Sequence, residues 1–190
     1  MEAFLVSLGV VAVAEIGDKT QLLAIVLAAR YRAPFAICAG ILLATIANHA
    51  LAAALGGLVA SWLGPDWLRW VLGLGFIAMA AWVLVPDKVD DGPGTLSQAG
   101  AFLATLVAFF LVEMGDKTQI ATVALAARFN DIVLVTMGTT AGMMLANVPA
   151  VMLGDVAATR IPMRLVRGIA ASIFVVLGVA VLANLGNLLG

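Results

Sequence analysis

The sequence predicts an all-α polytopic membrane protein, with six transmembrane helices arranged as two inverted-topology repeats of three helices each. Three observations predict it. The 190 residues are 64% hydrophobic and 11% charged, with a mean hydropathy of +1.14. A soluble domain carries about twice that charge fraction, and this chain has too little polar surface to cover itself against water. Six apolar runs, 3–29, 34–60, 67–85, 98–127, 132–153 and 168–186, have lengths near or above the roughly 20 residues that a membrane helix needs. The second half also repeats the first.

Taken in order, the run 3–29 begins without the basic n-region of a signal peptide and ends without an A-x-A-like cleavage site, so it is read as a retained span. Arg30-Tyr31-Arg32-Ala33-Pro34 separates it from the second run, and Gly64-Pro65-Asp66 precedes the third. Pro86 to Gly94 is the one hydrophilic stretch, and it divides the chain. The expected organisation is a first three-helix repeat at 1–86, a central cytoplasmic loop at 87–97 and a second repeat at 98–190, forming one membrane domain. The runs are long, rich in Ala and Leu and lack alternation, which argues against strands. Trp62, Trp67, Trp70 and Trp82 fall near span ends, as interfacial aromatics do. Cys38 is the single cysteine, so there is no intramolecular disulfide and no thiolate zinc site.

The repeat has a constant offset of 98 positions. It relates Glu15 to Glu113, Asp18 to Asp116, Gln21 to Gln119, Leu27-Ala28-Ala29-Arg30 to Leu125-Ala126-Ala127-Arg128, Gly40 to Gly138, Gly56 to Gly154, Arg69 to Arg167 and Phe76 to Phe174. Asn48 and Asn147 correspond after a one-residue slip. Three spans per half is an odd number, so the second half enters the membrane inverted, the plan of many secondary transporters. Lys and Arg give the orientation. Arg30, Arg32, Lys88, Arg160, Arg164 and Arg167 lie on one side, Arg69 and Arg128 on the other. The first side is then cytoplasmic and both termini are outside.

The chemistry lies in two strings, Glu15-Ile16-Gly17-Asp18-Lys19-Thr20 and Glu113-Met114-Gly115-Asp116-Lys117-Thr118. Each falls near the middle of its span. Carboxylates at membrane depth are costly, so they are functional candidates by default. A Glu and an Asp three residues apart share a helix face, and two such faces would gather four carboxylates around one point. A purely local ion pair, Glu15 or Asp18 with Lys19, is the plainer reading, but it does not require the whole string to recur. Gly17 and Gly115 permit either close helix packing or a helix break. Thr20, Gln21, Thr118 and Gln119 offer neutral oxygens to an ion or hydrogen bonds to the acids, and Asn48 and Asn147 are placed to do the same or to bond neighbouring helices. His49 has no counterpart in the second half and reads as a packed histidine or a proton relay. Lys19 and Lys117 balance charge when no cation is bound, or snorkel to an interface.

Carboxylate, amide and hydroxyl oxygens are hard donors suited to Ca²⁺, Mn²⁺ or Mg²⁺. Several carboxylates in a low dielectric require either protons or a counter-cation, so cation and proton binding exclude one another, the thermodynamic basis of antiport. No nucleophile–base pair, phosphate loop or cofactor motif suggests an enzyme, and no basic patch suggests nucleic acid.

The two Glu-x-Gly-Asp-Lys-Thr signatures, on the first and fourth of six spans, resemble those of the Golgi-type Ca²⁺/Mn²⁺:H⁺ exchanger family, whose bacterial branch includes manganese exporters and whose plan is similar to the lysine-exporter superfamily. The resemblance covers the whole chain. It implies a transported-cation site on Glu15, Asp18, Glu113 and Asp116, with Mn²⁺ or Ca²⁺ and protons as substrates and no cofactor. For a bacterial member it implies manganese efflux across the inner membrane. The competing expectation is an exporter of a cationic organic solute, such as a basic amino acid, using the same acids as counter-ions.

Overall fold

The computed structural model describes residues 1–85, 100–153 and 163–184. The described residues form eight helices and no strand. They are α1 (Glu2–Glu15), α2 (Lys19–Tyr31), α3 (Pro34–Trp62), α4 (Pro65–Val83), α5 (Ala101–Glu113), α6 (Lys117–Phe129), α7 (Ile132–Leu153) and α8 (Met163–Leu182). The central loop expected at 87–97, together with Lys88, Gly154 and Arg160, lies outside the described residues, as do the side chains of Arg164 and Arg167.

The runs 3–29 and 98–127 differ from expectation, because each is two helices rather than one. The interruption falls at Gly17 and Gly115, whose φ angles are +80° and +77°. An L-residue with a side chain is disfavoured in that left-handed region, and glycine is not. A tight turn follows, with the Asp18 and Asp116 amides each donating to the carbonyl of Glu15 and Glu113 at 3.1 Å. Asp18 and Asp116 then occupy the N-cap positions of α2 and α6. The halves also agree away from the motif. Arg32 and Asn130, 98 positions apart, both end their helices in the left-handed conformation at φ 49°. Their amides donate back to Ala28 and Ala126.

The halves interlock. α1 packs on α7 and α5 on α3, while α2 packs on α7 and α6 on α3. The long helices α3 and α7 pack on each other, and α4 packs on α8. Small residues allow these approaches. A Cβ on Gly40 would meet the Phe102 carbonyl at 2.8 Å, and one on Gly138 would run into the Phe4 carbonyl. Gly40/Gly138 and Phe102/Phe4 are both pairs at the 98-residue offset. Between α4 and α8, Phe76 stacks on its own repeat mate Phe174, with ring centroids 6.3 Å apart.

The buried core is mostly Ala, Val, Ile and Phe, whereas the exterior carries Leu5, Leu51, Leu55, Leu74, Leu145 and Val176, each more than half exposed. Water-soluble monomers avoid so much exposed hydrocarbon. Taken singly, α3 and α7 are long and apolar enough to cross a membrane.

Candidate cation site

The two breaks bring the acidic strings of both halves into the interior. Glu15 and Glu113 are fully buried, and Asp18, Asp116 and Lys117 nearly so. One carboxylate oxygen from each of Glu15, Glu113 and Asp116 lies within 4.8 Å of the other two. Three acids therefore come together where four were expected. Asp18 is not one of the three, and its Oδ1 lies 3.5 Å from Lys117 Nζ. The expected reason for convergence, Glu and Asp on one face of one helix, does not apply. The helix ends at Glu15 and restarts after Asp18, so the turn, not the helical period, orients the pair.

Each polar neighbour has a specific partner. Thr20 Oγ1 donates to Glu15 Oε2 at 2.6 Å, and Thr118 Oγ1 donates to Glu113 Oε2 at 3.1 Å. Gln21 Oε1 accepts the Gly17 amide at 2.9 Å, and Gln119 Oε1 accepts the Gly115 amide at 2.6 Å. The glutamines thus satisfy a backbone donor that the break releases, a requirement that is strict where water is excluded. Their oxygens bond the glycine amides, and their amides reach the partner half. Gln21 Nε2 donates to the Ala146 carbonyl at 3.0 Å, and Gln119 Nε2 donates to Asn48 Oδ1 at 3.5 Å.

These contacts correct the proposed slip between Asn48 and Asn147. Gln21 and Gln119 reach positions 146 and 48, so the 98-residue register continues through this region. Asn48 stands opposite Ala146, and Asn147 opposite His49. Asn48 Nδ2 donates to the Phe110 carbonyl at 3.0 Å, tying α3 to α5. Asn147 bonds within its own helix, to the Met143 carbonyl. His49 is buried with neither ring nitrogen hydrogen-bonded among the described residues.

The lysines pair across the halves rather than locally. Lys19 Nζ lies 2.9 Å from Asp116 Oδ1, matching the Lys117–Asp18 contact. Nothing in the sequence signals these pairs. The Gln–Gly bonds did leave a signal, since a Gln four residues after a helix-breaking Gly recurs in both strings.

Glu15 Oε1 and Glu113 Oε1 are buried without a hydrogen-bond partner among the described residues. Two such oxygens beside an Asp116 carboxylate form an oxygen-only donor set drawn from both halves. It suits a hard cation, which would satisfy oxygens that are otherwise costly to bury.

Comparison with known proteins covers nearly the whole chain. The family model for "Divalent cation/proton antiporter GDT1" matches residues 3–91 and 101–187. A Vibrio cholerae protein titled "Putative manganese exporter" is 51% identical over 181 residues, covering 95% of this chain and 90% of the relative. The "GDT1-like protein 4" of Arabidopsis thaliana is 29% identical over 94% of each chain. The "GDT1-like protein 3" of Oryza sativa subsp. indica is 30% identical over 91% of this chain and 71% of its own. No solved structure matches.

Proposed function

The chain belongs to the GDT1 family of divalent cation/proton antiporters, and on that premise we propose that it exports Mn²⁺, and accepts Ca²⁺, in exchange for protons across the inner membrane of a bacterium. The family is one of transporters, not enzymes, and its substrates are a divalent cation and protons. The observation that carries the proposal is the meeting of Glu15, Glu113 and Asp116 within 4.8 Å at the junction of the two halves. Asp18 joins as the fourth acid when its Lys117 contact gives way. Thr20, Thr118, Gln21, Gln119 and Asn48 hold the acids and the breaks in position, Asn147 is a supporting polar residue bonded back to the Met143 carbonyl of α7, and Lys19 and Lys117 balance charge. Manganese is favoured by the Vibrio cholerae relative, whose title names a manganese exporter.

The proposed architecture is six spans. The broken pairs α1–α2 and α5–α6 each act as one discontinuous span, and α3, α4, α7 and α8 act as the others. The repeats are 1–86 and 98–190, joined by a cytoplasmic loop at 87–97, with both termini outside. Three features support an inverted repeat with a twofold between the halves: the matched cross-half packing, the Phe76–Phe174 stack and the reciprocal lysine contacts. Discontinuous helices at the midplane are how secondary transporters expose backbone and carboxylate oxygens to an ion. The apolar exterior is consistent with lipid as its solvent.

The test is Mn²⁺ and Ca²⁺ flux in proteoliposomes under an imposed pH gradient, with wild type compared with Asp116→Asn and Glu15→Gln. Gradient-driven flux lost in both variants supports the antiporter. Flux indifferent to the gradient, or displaced by millimolar lysine, would overturn it in favour of a channel or an organic-cation exporter.

A further inference from the structure

Resting on the inverted-repeat antiporter proposed above, we infer that α4 and α8 move together as the gate of the carrier. Here the pair closes the α1–α6 side of the cation site, and in the second state of the cycle it closes the α2–α5 side. The 98-residue repeat makes α1 the counterpart of α5, α2 of α6, α3 of α7 and α4 of α8. α1 packs on α6, and their counterparts α5 and α2 pack on each other. The acidic strings end α1 and α5 and begin α2 and α6, so the site has two sides, one bounded by α1 and α6 and the other by α2 and α5.

The α4–α8 pair engages one side alone. α4 packs on α6 and α8 on α1. Exchanging the halves would turn these contacts into α8 on α2 and α4 on α5, and among the described residues neither of those pairs packs to a comparable extent. The hydrophobic cores divide in the same way. Phe76 of α4 and Phe174 of α8 share one core with Val10 of α1 and Leu125 of α6. The other core joins Leu27 of α2 to Phe109 of α5, and no described residue of α4 or α8 belongs to it. Matched residues of one type differ accordingly. Ala127 of α6 is 2% exposed, whereas its counterpart Ala29 of α2 is exposed. Lys117 at the start of α6 is 7% exposed and Lys19 at the start of α2 is 27% exposed.

The pair is built to move whole. Phe76 stacks on Phe174, and a Cβ on Gly178 would meet the Gly73 carbonyl at 2.9 Å, so the two backbones touch. The surfaces offered on the two sides are chemically alike, since Ala124 and Ala127 of α6 correspond to Val26 and Ala29 of α2. Two packings of similar burial lie within a few kcal/mol of one another, which is what lets both be populated. Rocking of one bundle against another around a fixed site gives alternating access. In the proposed orientation α2 and α5 lie on the cytoplasmic side, so the observed packing is the cytoplasm-facing one and the reverse packing faces outward.

The experiment measures spin-label distances by double electron–electron resonance in proteoliposomes, on a Cys38→Ser background because Cys38 is the single cysteine. One pair of labels goes on Val71 and Ile120, across α4 and α6. The other goes on their repeat mates Ile169 and Leu22, across α8 and α2, and all four side chains are exposed. In cation-free vesicles the Ile169–Leu22 distance is expected to exceed the Val71–Ile120 distance by on the order of 5 Å, half of the roughly 10 Å between the axes of packed helices. Across cation-free and Ca²⁺-loaded vesicles, with and without a pH gradient, the two distances are expected to change in opposite directions. Equal distances in every sample overturn the asymmetry. Unequal distances that never change, in labelled protein that transports Ca²⁺, overturn the moving pair. Distances that exchange while Ca²⁺ flux ignores the pH gradient overturn the antiport reading and leave the gate standing. Labels on Leu74 and Ser172, also repeat mates and exposed, replace those on Val71 and Ile169 should the first set fail to fold or transport.

Discussion

Lys19 of the first half contacts Asp116 of the second at 2.9 Å, while Lys117 of the second contacts Asp18 of the first at 3.5 Å, so the aspartate of each acidic string is paired with the lysine of the other. The fold thereby couples the halves electrostatically at the proposed cation site. The two contacts are not equivalent, since Lys19 is the more exposed and makes the shorter contact. A double-mutant cycle on Lys19→Met and Asp116→Asn is expected to show coupling of about 0.5–3 kcal/mol, with the double variant more stable than the sum of the singles predicts. Thermal or denaturant unfolding in detergent measures it. Additive effects would show that the pair contributes nothing beyond its separate residues.

Cation binding should stabilise the folded protein through the same cluster. At a Mn²⁺ concentration one hundred times the Kd, a single site contributes about 2.7 kcal/mol. The unfolding midpoint of wild type is expected to rise with Mn²⁺ over Mg-free buffer. Glu113→Gln removes the charge of a group whose Oε1 has no hydrogen-bond partner among the described residues, so that rise is expected to shrink or vanish. A full rise in Glu113→Gln would place the ion elsewhere.

Much of this arrangement was legible in the sequence. The 98-residue repeat paired Gly40 with Gly138, and the structure puts both at matched close approaches; the left-handed caps at Arg32 and Asn130 keep the same offset but were not anticipated. The break itself was not decided, because a glycine inside an apolar run serves close packing as well as a turn. Gly115 settles the point for its half, since a Cβ there would meet nothing within 4 Å, leaving the positive φ as the reason for glycine. The shared-face argument for Glu15 and Asp18 failed because i, i+3 geometry presumes an unbroken helix. Asn48 was matched to Asn147 because they are chemically alike, whereas Gln21 and Gln119 show that position, not residue type, carries the correspondence. The cross-half lysine contacts are tertiary, between residues 97 and 99 positions apart, and local pattern does not encode them.

Gly115→Ala tests the break directly. With open space around the position, the substitution adds no clash, only the cost of holding an L-residue at φ +77°. That cost is about 1–2 kcal/mol. Transport is expected to fall much more than stability, because the turn sets where Glu113 and Asp116 point. Wild-type flux in a variant with a lowered unfolding midpoint would show that the turn tolerates displacement without loss of the site.

Gln119→Ala and Gln21→Ala should not be equivalent, although the two residues are repeat mates. Both remove the oxygen that accepts the glycine amide; at the part-buried Gly17 the unpaired donor costs about 1–3 kcal/mol, whereas the Gly115 bond is exposed and its loss costs less. Gln119→Ala also withdraws the amide from Asn48 Oδ1, a side chain that can turn to another partner. Gln21→Ala withdraws it from the Ala146 carbonyl, a fixed backbone group on α7 three residues before Pro149. Pro149 has no N–H to give to the carbonyl of Leu145, so this stretch of α7 has already lost a helical bond. Gln21→Ala is therefore expected to be the more destabilising, and to raise amide hydrogen exchange in α7 around residues 145–150. Equal losses, or exchange unchanged in that segment, would show that α7 does not depend on the first half at this point.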